Sequence, residues 1–170
     1  MALHRYQAID RSYFETAPVR FDDRRTLDYP PEVVFKIFGH NKIWHAFDPG
    51  IAAAHWTSEP PLHAGSTRRV EFSWWLGGGY VDEVFFEWKP TESFAFYMHE
   101  GTSARVHAYG ELWTLSDGGT GRCEIRLQTA FSLRPRFANS LVRMLSPVVN
   151  IGYSRVLTAV EKYLEEHEPS

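Results

Sequence analysis

Arginine, histidine, tyrosine and carboxylate side chains fall at every second position of three aromatic-rich stretches. Arg105, His107, Tyr109 and Glu111 alternate through SARVHAYGELWTL, while Arg68 lies in STRRVEFSWW and Asp82 in YVDEVFFEW. In an extended chain, residues i and i+2 share a face, so these groups could converge on one cavity. Such a set would orient a carbonyl or carboxylate, and His107 or Tyr109 could move a proton. Arg68, His107 and Tyr109 are therefore the candidate catalytic residues. A buried arginine is costly unless paired, so Arg68 or Arg105 would need Asp82, Glu111 or an anionic ligand. The competing arrangement is an outer-face ladder of cross-strand ion pairs, each worth under ~1 kcal/mol. For strand 103–115 the alternation alone does not choose between the two.

The apolar neighbours set the expected lining. Arg68, Val70, Phe72 and Trp74 share the face taken as inward. In the next stretch Tyr80, Asp82, Val84, Phe86 and Trp88 oppose Val81, Glu83, Phe85 and Glu87. The two glutamates put the second set outside. The expected cavity thus has walls of Val70, Phe72, Trp74, Val84, Phe86 and Trp88, with Arg68, Asp82 and Arg105 as polar contacts. Val149 and Tyr153 would face it from a C-terminal helix. In GRCEIRLQTAF, Cys123, Ile125, Leu127, Thr129 and Phe131 read inward against Glu124, Arg126 and Gln128.

Other chemistries lack their spacing. The eight histidines include no H-E-x-x-H pair, and a single cysteine cannot build a thiolate cluster, so neither a metal nor a cofactor is expected. Gly77-Gly78-Gly79 has no following Lys-Ser/Thr and reads as a hairpin turn. No G-x-S-x-G string offers a nucleophile elbow.

The elements that must position these residues are legible in outline. Residues 1–17 show no sustained period and read as an extension, followed by one domain over 18–166 and a short tail, 167–170. A strand at 19–29 precedes Pro30-Pro31, which opens a helix where a missing N–H costs nothing. A second short helix follows over 41–47. Short strands rich in aromatic and β-branched residues then run to about residue 132. Leu141, Leu145, Val148, Val149, Gly152, Val156, Ala159, Val160, Tyr163 and Leu164 recur at helical spacing, with Pro147 marking a kink or a break. One long helix facing one curved antiparallel sheet is an α+β arrangement that can enclose a small molecule.

Composition narrows the partners. The chain of 170 residues has a net charge of −3, which gives no support for nucleic-acid binding. Aromatic residues make up 15%, enough to line a pocket for a flat or greasy ligand as well as to fill a core. One cysteine suits a reducing compartment, and no segment reads as a signal peptide or membrane span, so the expectation is a cytoplasmic protein without stable membrane insertion.

The element order and the strings YPPEVVFKIF, IWHAFDPGI, PPLHAGSTRRVEF, EVFFEWKPTESFAFYM, ELWTLSDGGTGRCEIRLQTAF and VLTAVEKYLEE resemble the START-like (SRPBCC) superfamily. Within it, they resemble the polyketide cyclase/dehydrase and lipid-transport branch, over residues 18–165. That resemblance implies a Bet v 1-like helix-grip: a seven-stranded antiparallel sheet curved around a long C-terminal helix, with two short helices after the first strand. One departure is visible: the family's tryptophan before the proline is Phe47 here, and Trp44 sits one helical turn earlier. The reading is a binder of a hydrophobic or aromatic small molecule, lipid, polyketide or quinone-like. The alternatives are a cyclase or aromatase using His107, Tyr109 and Arg68, and a partner or homodimer surface built from the extension and Trp75.

Overall fold

The computed structural model describes residues 2–144 and 146–167, with the backbone alone for 146–154. Strand β1 (His4–Arg5) and a single helical turn α1 (Tyr13–Thr16) lead into β2 (Val19–Leu27). Helices α2 (Pro31–Ile37) and α3 (Ile43–Phe47) follow, with Pro31 in the first turn of α2 as its locked φ favours. Then come β3 (Ile51–Trp56), β4 (Thr67–Phe72), β5 (Tyr80–Lys89), β6 (Ser93–Gly101), β7 (Val106–Asp117) and β8 (Cys123–Leu133). The C-terminal segment is two helices, α4 (Phe137–Met144) and α5 (Ser146–His167), and Pro147 lies in the first turn of α5, so the proline marks a break. Seven strands form one antiparallel sheet in the order β2-β8-β7-β6-β5-β4-β3, and β1 adds to the end of β6. This is the helix-grip architecture.

Cross-strand register decides which face each side chain takes. Residues directly opposite one another in an antiparallel pair share a face. Val70 on β4 is opposite Val81, and Arg68 is opposite Glu83. With Val70 inward, Val81, Glu83 and Phe85 must also be inward, and they are all buried. The expected inward set of β5 is therefore corrected: Asp82, Val84 and Phe86 lie on the outer face. The glutamates misled because Glu83 is buried against an arginine rather than exposed. A bulge between Phe85 and Glu87 then resets the phase. It leaves Glu87 outside, bound by Arg11, and turns Trp88 inward against Phe35 and Trp56.

The N-terminal segment lies across the outer face of the sheet. Phe14 and Ala17 are buried there against Ala95, Leu112 and Ala130, with Ile9, Tyr13 and Phe86 around them. The Tyr6 hydroxyl donates to the Ser103 carbonyl and accepts from the Ser103 N–H. Small residues let this strap lie close. A Cβ on Gly110 would stand 2.7 Å from the Phe96 carbonyl oxygen and 2.4 Å from the Ile9 side chain. Gly110→Ala is expected to cost about 1–3 kcal/mol, since a neighbouring strand's backbone cannot step aside cheaply. Urea unfolding of the variant measures it.

The other face holds an aromatic core. Phe38, Trp44, Phe94 and Trp113 meet beneath α2 and α3, with Trp113 stacked on Phe94 at 5.6 Å between centroids. α5 closes this side through Leu157, Val160 and Leu164, all fully buried.

Candidate functional site

Between the inner face of the sheet, α3 and α5 lies a cavity of about 620 Å³. Its walls are mostly apolar, drawn from Phe47, Ile51, Val70, Phe72, Phe96, Met98, Val156 and Ala159. Ala46, Asp48, Pro49 and Arg155 are exposed and mark its mouth.

The polar groups of the cavity form two linked sets. In the first, Arg68 donates from Nε and Nη2 to Glu83 Oε2 at 2.7 and 2.5 Å. Both residues are almost fully buried, at 1% and 3% exposure. The guanidinium carbon lies 3.8 Å from the centroid of the Trp44 ring and 5.0 Å from that of Phe96. A weakly hydrated, planar cation on aromatic faces is a setting that suits arginine better than lysine. Arg68 Nη1 and Trp44 Nε1 are buried donors with no hydrogen-bond partner among the described residues.

In the second set, Tyr109 Oη donates to Glu111 Oε1 at 2.6 Å and Trp113 Nε1 to Oε2 at 2.9 Å. Both glutamates are shifted upward, with burial as the main cause. Glu83 is pushed up to about 7 despite the opposing pull of Arg68. Glu111 is raised too, against its two hydrogen bonds and the arginine charge. The inner end of the cavity thus carries one arginine and two carboxyl groups that hold their protons more readily than surface acids.

Of the residues expected at the site, Arg68, Val70, Phe72 and Tyr109 come together in this cavity. Trp74 does not, because β4 ends at Phe72 and the chain turns away. Trp74, Trp75 and Leu76 form a 3-10 turn followed by three glycines of positive φ, leaving Trp74 exposed. Asp82 binds Arg69 on the outer face, each carboxylate oxygen accepting at 2.7 Å. Val84 and Phe86 lie on that face as well, and Trp88, though inward, packs in the core beyond the lining. Arg105 is exposed in the turn before β7.

A bulge between Val106 and Ala108 separates His107 from the inward phase of Tyr109. Its Nδ1 lies 3.0 Å from Arg134 Nη2, beside a second hollow of about 400 Å³ shared with Tyr13, Ser132, Arg136 and Arg143. His107 is therefore corrected from the cavity to this outer hollow. Val149 and Tyr153 lie outside the residues whose side chains are described. Among the groups not anticipated were Glu83, Trp44, Phe47, Ile51, Phe96 and Met98. The register opposite Arg68 would have flagged Glu83, and the displaced tryptophan of IWHAFDP was a sign of Trp44.

No group of three or more histidine, cysteine, aspartate or glutamate side chains that could hold a metal occurs among the described residues.

Residues 18–165 match the model of the family described as polyketide cyclase/dehydrase and lipid transport. The chain belongs to that family. An uncharacterized protein of Mycobacterium tuberculosis is 29% identical over 160 residues, spanning 94% of this chain and 92% of the relative. Among solved structures, a START superfamily protein from Mycobacterium smegmatis aligns with TM-score 0.69 at 10% identity, covering 86% of this chain and 97% of the other. The Zhui aromatase/cyclase from Streptomyces sp. R1128 aligns with TM-score 0.68 at 17% identity, covering 86% and 93%. Norcoclaurine synthase from Thalictrum flavum gives 0.63 at 16% identity, covering 96% of each chain. At these identities the solved structures share the fold with this chain; their substrates stay theirs.

Proposed function

We propose that the cavity binds one hydrophobic or aromatic small molecule carrying an acceptor oxygen at its inner end. The observation behind this reading is an aromatic-walled cavity lined at its inner end by Arg68 and Trp44, each with one buried donor, Nη1 and Nε1, left without a partner among the described residues. Buried donors without acceptors cost about 1–3 kcal/mol each, and a ligand oxygen would recover that. The apolar walls supply affinity and the two donors supply orientation. Lipid, polyketide and quinone-like molecules all fit this description.

A cyclase-type reaction is the second reading, favoured by the buried Tyr109–Glu111 pair beside Arg68. Arg68 would hold a substrate carbonyl while Glu111, ready to hold a proton, would transfer it through Tyr109 or directly. His107 plays no part in this version.

Native mass spectrometry of freshly purified protein, compared with its denatured mass, tests the first reading. A reproducible extra mass lost on denaturation supports it. A clean mass, with no binding of a quinone, a fatty acid or a polyphenol in probe displacement, overturns it. Trp44→Phe keeps an aromatic face, smaller than the indole, and removes the donor. It should weaken an oxygen-bearing ligand about tenfold more than it weakens a hydrocarbon probe of similar size, which reports the change in cavity shape alone.

A further inference from the structure

The end of the sheet that bears the cavity mouth is built unlike the rest of the surface. The ends of β4, β6 and β8 and the starts of β3, β5 and β7 all lie there, so residues 48–50, 73–79, 102–105 and 134–144 cluster around it. The turn at 73–79 projects Trp74, Trp75 and Leu76 at 86%, 56% and 55% exposure. It is not a loose loop. Ser73 donates from its N–H to the Gly50 carbonyl and from Oγ to the Pro49 carbonyl, and the Leu76 side chain abuts Gly50. The tryptophans are therefore held beside the mouth itself.

Helix α4 repeats the pattern from the other side. It is inverted for a helix on a globular protein: Asn139 is buried, its Oδ1 accepting from the Leu133 N–H, while Phe137, Leu141 and Met144 point outward at spacing i, i+4, i+7. Arginines surround these apolar groups. Arg105, Arg134, Arg136 and Arg143 are exposed, and Asp48 is the single acid in the four connecting segments. No aspartate or glutamate occurs between Leu133 and Glu161, in a chain whose net charge is −3. The connecting segments thus carry net positive charge. Two acids just inside the strand ends, Asp82 and Glu100, are paired with Arg69 and Arg5, a balance that orients a molecule on an anionic surface.

We propose that this end docks peripherally on an anionic lipid bilayer. Trp74 and Trp75 take the headgroup level, as their part-apolar, part-polar rings prefer, and α4 lies in the interface on its apolar face. The arginines meet the lipid phosphates. The cavity mouth then faces the membrane, so a hydrophobic ligand passes between bilayer and cavity without crossing water. Among the described residues no helix is long and apolar enough to cross a membrane, and the docking needs none.

The last step rests on the ligand-binding reading above; the docking itself does not. The full chain is sedimented with vesicles of phosphatidylcholine alone and of phosphatidylcholine mixed with phosphatidylglycerol. Binding is expected to the mixed vesicles, weakening as salt rises. Trp74→Ser with Trp75→Ser should reduce it at least tenfold, and Arg134→Gln with Arg136→Gln about thirtyfold. All four positions are exposed, so thermal unfolding of the variants should match the parent. Failure to bind the mixed vesicles, or undiminished binding by the double tryptophan variant, overturns the proposal. So does a parent dimer that the tryptophan substitutions dissociate, which would make this end a chain–chain surface. Probe binding to the cavity, measured without vesicles, reports separately on the ligand-binding reading.

Discussion

Arg68→Leu is expected to destabilise the protein by about 3–5 kcal/mol, the usual cost of stranding one member of a buried ion pair. Glu83 makes both of its arginine contacts through one oxygen and is 3% exposed, so without Arg68 its charge has no compensation. The double variant Arg68→Leu with Glu83→Leu should recover most of the loss, because two aliphatic groups can share the space of the pair. A double-mutant cycle by urea unfolding measures the coupling. If the single and double variants are equally unstable, the pair is not the source of the effect.

The same pair makes stability depend on pH in a definite direction. Burial raises folded Glu83 from 4.5 to about 7, so the folded state holds this proton more tightly than the unfolded chain. The contribution is fully present below the unfolded value, falls as pH rises through the window between them, and is gone above about 7. Glu83→Gln should flatten that slope. In Arg68→Leu the opposing charge is gone, Glu83 moves higher still, and the window extends upward. The single variant should therefore look least damaged near pH 5 and most damaged near pH 8.

Removing residues 2–17 is expected to be the second large effect. The strap buries Phe14, Ala17 and Tyr6, and full burial of a large apolar side chain stabilises by roughly 1.5–3 kcal/mol. Its loss would bare Ala95, Leu112, Ala130 and Phe86 on the outer face, and Glu87 would lose Arg11. A loss above ~3 kcal/mol is expected in unfolding, with self-association through the bared face in light scattering. A truncated chain that stays monomeric and equally stable would show the strap to be incidental. A truncated chain that loses a pre-existing dimer would point instead to the partner surface expected from the extension.

These two regions also show where local pattern is sufficient and where it is not. The order of strands and helices follows from signals a few residues long: Pro30-Pro31 opening α2, the glycine turn at 77–79, the helical repeat of Val156, Val160 and Leu164. Phase was legible where a strand alternates without interruption. In β8, Cys123, Ile125, Leu127, Thr129 and Phe131 are all buried as their alternation indicates. In β4, Arg68 and Val70 are buried and Phe72 lines the cavity.

The tertiary structure decided everything that depends on one strand's neighbour. A single inserted residue reverses every later side chain, and alternation contains no trace of it. The bulges at Val106–Ala108 and Phe85–Glu87 are set by hydrogen bonding to strands distant in sequence, and they moved His107 out of the cavity and Trp88 into the core. A buried carboxylate also looks identical to an exposed one until its partner is known. Glu83 counted as an outward marker because nothing within its own strand reveals Arg68 fifteen residues earlier. Types and spacing therefore indicated a curved sheet facing a long helix, with Arg68 and Val70 on its inner face and the phase of Tyr109 left open. Which acid joins them, and where the histidine goes, was decided by register, because register is a property of pairs of strands.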